Sequence, residues 1–261
     1  LSRAACCNLG ESFVTNPSVD VSYSDAATGA KQIKLLGLSG TYVQMLTENI
    51  PNYRGAAAPY GLGYVPGPWM QSIQVSKGTS SVKNGYEAIT GQINVEFKKP
   101  QLPEADWVSA NLFASTTNRY EANADATLKL SKRWSTSLLA HYENETKAHD
   151  GNDDGFVDIP QVEQYNVWNR WAYMGDHYVF QAGIKALSET RTSGQANHGG
   201  TMHSGDLYKV GIDTERYEFF TKNAYIFNKE KNTNLALILS TTLHNQDATY
   251  GRKLYNVDQT N

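Results

Sequence analysis

The chain has 261 residues, 40% of them apolar, with 23 Lys plus Arg against 26 Asp plus Glu and a formal net charge of -3. This is long enough for one large or two ordinary domains and apolar enough for packed structure; the absence of a basic stripe excludes a nucleic-acid binder. No run approaches the roughly 18 consecutive apolar residues of a membrane-spanning helix, which excludes helical membrane proteins and leaves β-barrels open, because barrel strands alternate apolar and polar.

A composition of 16 Tyr and 21 Gly against 4 Met and 2 Cys suits a chain of many strands and turns. The chain opens at Leu1 without an initiator Met or signal peptide, so its start is expected to be processed or missing. Cys6 and Cys7 are adjacent, cannot staple distant elements, and read as small buried thiols.

Residues 1 to about 100 mix short β-rich runs with Gly and Pro punctuation. Gln32–Leu36 and Ile73–Ser76 read as short strands and Thr41–Glu48 as one or two helical turns. The expectation is an α+β domain over residues 1–103, closed by Pro100 and Pro103.

Residues 104–261 follow a different rule. From Tyr120 to Leu130 the residues Tyr120, Ala122, Ala124, Ala126, Leu128 and Leu130 share one face, and Glu121, Asn123, Asp125, Thr127 and Lys129 share the other. That length fits the ~9–11 residues of a tilted transmembrane strand better than the ~5–6 of a soluble one. Seven antiparallel strands are expected, near 106–116, 120–131, 134–146, 163–174, 177–189, 212–227 and 234–247, with His141 and Lys185 on the polar face. If the first runs outward, the connections at 131–133, 175–176 and 228–233 fall inside and the long ones at 147–162 and 190–211 fall outside, as outer-membrane barrels require. Aromatic residues gather near strand ends, where an interfacial girdle would sit. A soluble all-β domain carries the same alternation, so periodicity alone leaves both readings open.

The run from Met70 to Val95 adds a more specific signal. Ile73, Val75, Lys77, Gly78, Ser81, Gly85, Ala88, Gly91, Ile93, Asn94 and Val95 match the spaced motif that closes the plug of TonB-dependent receptors and leads into the first barrel strand. The chain thus resembles that family over essentially its whole length: an α+β plug followed by the first strands of a transmembrane barrel. Cys6–Leu9, Glu11–Phe13 and Asn169–Trp171 resemble receptors from Bacteroidetes. The resemblance implies a Gram-negative outer-membrane location, with the plug at the periplasmic side. It also implies outer-membrane lipid and a TonB-type energy-transducing protein as partners, with a surface lipoprotein as a further one, and uptake of a scarce nutrient such as a siderophore, haem or a cobalamin-like metal chelate. An N-terminal energy-coupling box and the first plug strand are not found in the chain, and about seven strands fall short of the about 22 of a plugged transporter, so a fragment is expected. The alternative is an outer-membrane adhesion or binding protein, or a subunit of a surface nutrient-capture complex.

No nucleophile motif or paired-carboxylate arrangement points to an enzyme. Two loops could hold a ligand. Asp150, Asn152, Asp154 and Asp158 place oxygen donors at alternate positions around a glycine turn, the pattern Ca²⁺ needs, although position twelve is Gln161 rather than Glu and no helices flank the loop. His198, Met202 and His203 could ligate a soft metal or haem iron. In the plug motif, Lys77, Gly78, Gly85 and Gly91 are the positions singled out, the glycines for positive φ or close backbone approach.

Overall fold

The computed structural model describes residues 8–13, 19–38, 40–79, 87–100, 107–196, 207–231 and 233–261. Its N-terminal part contains the hairpin β1 (Asp20–Asp25) and β2 (Ala30–Lys34), then β3 (Val43–Thr47), β4 (Ile50–Pro51), β5 (Met70–Lys77) and β6 (Gly91–Phe97). The last four form one sheet in the order β4-β3-β6-β5, with β3 and β6 parallel and the other pairs antiparallel. Around it pack Leu35, Leu46, Tyr64, Trp69, Ile93 and Phe97, all fully buried.

Helix is scarcer here than expected: the described residues hold four single 3₁₀ turns, at Glu11–Phe13, Gly40–Tyr42, Gly55–Ala57 and Gly67–Trp69. Of the helical turns expected over Thr41–Glu48, only Gly40–Tyr42 forms, and Val43–Thr47 is a strand. The cause is non-local. β6 lies alongside and supplies the ladder from Val43↔Gly91 to Thr47↔Val95, a partner that a local reading of the segment lacks.

The C-terminal part is a single antiparallel meander of β7 (Trp107–Ala114), β8 (Arg119–Lys129), β9 (Trp134–Glu145), β10 (Gln161–Met174), β11 (Tyr178–Gly194), β12 (Lys209–Asn228), β13 (Thr233–Tyr250) and β14 (Lys253–Thr260). The boundary expected at residue 103 lies outside the described residues. Eight strands stand where seven were expected. The extra one, β14, was hidden because its pattern is inverted: it pairs Tyr255 with Ala248 and Val257 with Gln246, both on the polar side, and leaves Asn256 and Asp258 on the outer side. The sheet is open, with β7 and β14 at its edges.

Its two faces are chemically distinct. Val108, Leu112, Leu128, Leu138, Val167, Ile184, Leu237 and Leu239 are exposed on one side. On the other, Glu121, Asn123, Asp125, His141, Glu143, Asn166, Arg170, Lys185 and Arg216 are buried against the N-terminal part. This inversion, apolar out and charged in, is that of a membrane barrel wall rather than a soluble sheet. The connections after β8, β10 and β12 are short and those after β9 and β11 long, which places the former at the periplasmic end. Near that end Trp134 lies 5.1 Å from Tyr173 and 6.1 Å from Phe180, ring centre to ring centre, as in an interfacial girdle; Tyr142 and Tyr165, 4.9 Å apart, sit toward the other end.

Ala124 lies midway along β8 on the outer face. Replacing it by Arg is expected to cost about 2–4 kcal/mol of barrel stability near the bilayer midplane, measured by denaturant unfolding of the whole receptor in lipid. A negligible loss would contradict the assignment of this face to lipid.

Candidate functional site

The region that positions charged groups is the seam between the N-terminal sheet and the polar face of the meander. Its periplasmic half is organised by Glu48. Glu48 and Asn49 connect β3 to β4 with φ of 56° and 62°, the two positive values that a tight two-residue hairpin of this hand requires. Glycine or asparagine would adopt this conformation more easily than glutamate. What holds Glu48 there is its carboxylate, which accepts the Phe97 amide at 3.0 Å and meets Arg170 at 3.1 Å, Lys99 at 3.6 Å and Lys222 at 3.8 Å.

Arg170 also donates to the Lys98 carbonyl at 2.9 Å, so one guanidinium from the wall grips both the hairpin and the end of β6. Lys98 in turn reaches Asp125 of β8 at 2.8 Å. Asn94 and Glu96 buttress the turn by accepting from Asn49 at 2.8 and 3.0 Å. The Glu96 carboxyl lies below the usual carboxylate range: burial pushes it up, but hydrogen bonds from Lys99 and Asn94 outweigh burial. A second clasp sits beside this one, where Asn52 donates to Glu218 at 2.8 Å and accepts from Arg216, and buried Lys185 donates to the Tyr64 carbonyl at 3.0 Å.

The extracellular half is wetter. A cavity of ≈ 190 Å³ lies between the Pro59–Gly63 segment, Lys31 of β2 and the wall strands β8 to β11. At its side Arg119 contacts Glu11 at 2.8 Å, Glu121 at 2.8 Å and Glu143 at 3.0 Å. Arg191 pairs with Glu189 at 2.9 Å, donates to the Thr28 carbonyl at 3.2 Å, and stacks over Tyr60. Burial lowers the Lys31 ammonium below its ordinary range, against the opposing field of Glu11.

Of the residues singled out from sequence, Lys77 ends β5, Gly78 follows it and Gly91 opens β6. Gly78 has φ 88° and donates to the Thr90 carbonyl at 2.8 Å. A Cβ at Gly91 would lie 2.2 Å from the Ser76 carbonyl oxygen, so only glycine fits. Gly85, His198, Met202 and His203 lie outside the described residues. Asp150, Asn152, Asp154 and Asp158 share one loop between β9 and β10, where their oxygens close the chain on itself: Asp150 accepts from Gly155 at 2.8 Å, Asp154 from Phe156 at 2.8 Å and Asp158 from Gly151 at 2.6 Å. Among the described residues no group of three or more His, Cys, Asp or Glu is arranged to hold a metal ion. His141 and Lys185 do face inward and are buried. Sequence reasoning missed Glu48, Arg119, Arg170, Arg216 and Lys222; the signal available was that the last four occupy the polar register of strands whose other face is apolar.

A family model described as the TonB-dependent receptor plug domain matches residues 2–92. The N-terminal part of the chain is thus similar to a TonB-dependent receptor plug. The meander matches the barrel wall of solved outer-membrane receptors, and the two parts together have the fold of those receptors. Similar solved structures include the siderophore receptor PiuA from Acinetobacter baumannii, with a TM-score of 0.68 at 13% identity over 94% of this chain and 35% of that one. The copper transporter OprC gives 0.62 at 12% identity over 96% and 47%. The ferripyoverdine receptor of the Pseudomonas aeruginosa outer membrane, bound to ferripyoverdine, gives 0.59 at 13% identity over 98% and 42%. The chain therefore spans less than half the length of these receptors. No curated relative matches it by sequence.

Two outcomes follow from the plug–wall seam. Glu48→Ala leaves the buried Arg170 guanidinium without its carboxylate and is expected to cost about 3–5 kcal/mol, read as earlier plug unfolding in denaturant; an unchanged midpoint would remove Glu48 from its central place. Because Glu96 is depressed in the folded state, its contribution is complete above the ordinary carboxylate value of about 4.3 and is lost as pH falls through the lower folded value. Protease sensitivity of the β3–β4 turn should rise below about pH 4, and Glu96→Gln should flatten that rise.

Proposed function

We propose that this plug and wall belong to a TonB-dependent receptor that takes up a scarce nutrient, such as a siderophore, haem or a cobalamin-like metal chelate. The observation that carries this reading is the seam itself. The plug fills the polar side of a lipid-exposed wall and is held there by buried, paired charges beside an apolar cluster that both share. A plug so held blocks diffusion, yet its contacts can be exchanged for water once work is done on it, because buried ion pairs return most of their attraction as hydration.

The work would come from a TonB-type energy-transducing protein on the periplasmic side, where the Glu48 clasp lies. A surface lipoprotein would be a partner outside. The wet cavity bounded by Lys31, Arg119, Glu143 and Arg191 is the place on this chain for the first contact with ligand, since it lies at the extracellular end between plug and wall.

The test is uptake by cells carrying the whole receptor, using labelled ferric siderophores, haem and cobalamin in separate assays, with and without the energy transducer. Accumulation of one of them that disappears without the transducer is expected. Binding without energised accumulation would favour the adhesion or capture-subunit alternative.

A further inference from the structure

We infer that the periplasmic turns of the wall form a ledge that binds the headgroup of an anionic phospholipid, with Arg133 and Lys229 as the pair that takes its phosphate. The inference does not depend on which nutrient is taken up. It rests on the geometry of three turns and on the outward face of the strands that they join.

The turns after β8, β10 and β12 stand side by side in a fixed row. Met174 donates its amide to the Arg133 carbonyl and Ile226 donates to that of His177, each at 2.8 Å, so hydrogen bonds run from turn to turn. Within the turns, the Ser131 hydroxyl accepts from the Arg133 and Trp134 amides at 3.3 and 3.1 Å, and the Asn228 side chain accepts from the Lys231 amide at 3.0 Å. These bonds hold the backbone that carries the charges.

The described residues of the three turns carry four basic side chains, Lys132, Arg133, Lys229 and Lys231, against two acidic ones, Asp176 and Glu230, and all six are exposed. At the other end of the wall the connection at 146–160 carries Lys147 against Asp150, Asp153, Asp154 and Asp158. The excess of positive charge is therefore local to the periplasmic turns. Arg133 from the first turn and Lys229 from the third converge on Asp176 of the second, at 2.9 and 3.8 Å. These three side chains are 56%, 58% and 70% exposed, so water screens the contacts and they contribute little. They do show the spacing: cations from two different turns reach one carboxylate, and a phosphate diester can take its place between them. Lys132 and Lys231 form no ion pair among the described residues and add charge on either side.

The surface next to the turns makes the ligand a lipid. Trp134, Tyr173, Tyr178, Tyr225 and Phe227 occupy the outward register of β9 to β12 beside these turns. Trp134 and Tyr173 are 5.1 Å apart, Tyr173 and Tyr178 6.1 Å, and Tyr225 and Phe227 5.0 Å, while Tyr178 pairs across the sheet with Tyr225. The aromatic belt is thus continuous over four strands. Such a belt sits at the level of the headgroups, and Arg133 adjoins Trp134 just as Lys229 closely follows Phe227, which puts both cations at the depth of the phosphates. A free anion uses the charges alone, whereas a phospholipid also lays its glycerol and first methylenes against the rings. A zwitterionic headgroup brings no net charge, and each basic side chain near the surface favours an anionic one by about fivefold.

The test uses the whole receptor in mild detergent, titrated with phosphatidylglycerol or phosphatidylethanolamine, with the retained lipids counted by native mass spectrometry. Phosphatidylglycerol is expected to bind at least tenfold more tightly. Combining Lys132→Gln, Arg133→Gln, Lys229→Gln and Lys231→Gln should abolish that difference. Asp176→Asn, which releases Arg133 and Lys229, should widen it at least twofold, a gain that damage to the fold cannot imitate. Inorganic phosphate in excess is expected to leave the lipid bound. Equal retention of the two lipids, a preference that survives the combined variant or fails to widen with Asp176→Asn, or displacement by inorganic phosphate would each overturn the proposal.

Discussion

A sheet that meets hydrocarbon on one face has to put its charges on the other, and there they need partners. In this chain the partners are on the plug. Arg170, Lys185 and Arg216 are almost fully buried on the wall, and each finds an acceptor on the plug: the Glu48 carboxylate and Lys98 carbonyl, the Tyr64 carbonyl, and the Asn52 side chain. Lys185 and Arg216 also share Glu218 on the wall, whereas Arg170 has its carboxylate on the plug, and removing such cations from water costs several kcal/mol per ion. The dependence runs both ways. The Glu48–Asn49 hairpin holds a left-handed glutamate, a conformation that costs of order 1–3 kcal/mol, and three cations around one carboxylate offset it.

The seam therefore joins ion pairs and hydrogen bonds to backbone carbonyls with the apolar packing. An apolar plug–wall interface would be stable, but exposing it to the solvated interior would cost the full hydrophobic term. Charged contacts fix the register of plug against wall and cost less to exchange for water. The apolar part of the seam joins Leu139, Trp168, Leu187, Val210, Ile212, Phe220 and Ala248 of the wall to the core of the plug in one cluster. Within it Phe97 packs edge-on to Trp168 at 4.4 Å, and Trp168 to Phe220 at 6.2 Å.

What was legible in the sequence follows from the range of the forces involved. The period-2 alternation of Tyr120–Leu130 records which side of the sheet is lipid, and lipid acts on every strand alike, so wall strands and faces could be read locally. The glycine at position 91 was legible through its motif, and its reason is the 2.2 Å approach to the Ser76 carbonyl. The strand at Val43–Thr47 was not legible, because its partner lies almost fifty residues further on. β14 was not legible either: its Tyr255 and Val257 face inward, against the pattern that revealed its neighbours. The charge clasps were half-visible. Alternation places Arg170 and Lys222 inward, but nothing local says that they meet Glu48.

The two halves of the seam tie plug to wall with different arrangements of charge. Around Glu48 the carboxylates Glu48, Glu96 and Asp125 face four cations, Lys98, Lys99, Arg170 and Lys222, and every one of these groups has an opposite charge within 4 Å. The periplasmic cluster thus carries one formal positive charge in excess, and each of its carboxylates meets at least one cation. The periplasmic end thus holds the plug in place from several wall strands at once. At the extracellular end Glu11, Glu121 and Glu143 gather on Arg119, and Glu189 on Arg191. There Arg119 and Arg191 also touch both plug and wall, through Glu11 and the Thr28 carbonyl, so the two parts are tied at both ends of the seam.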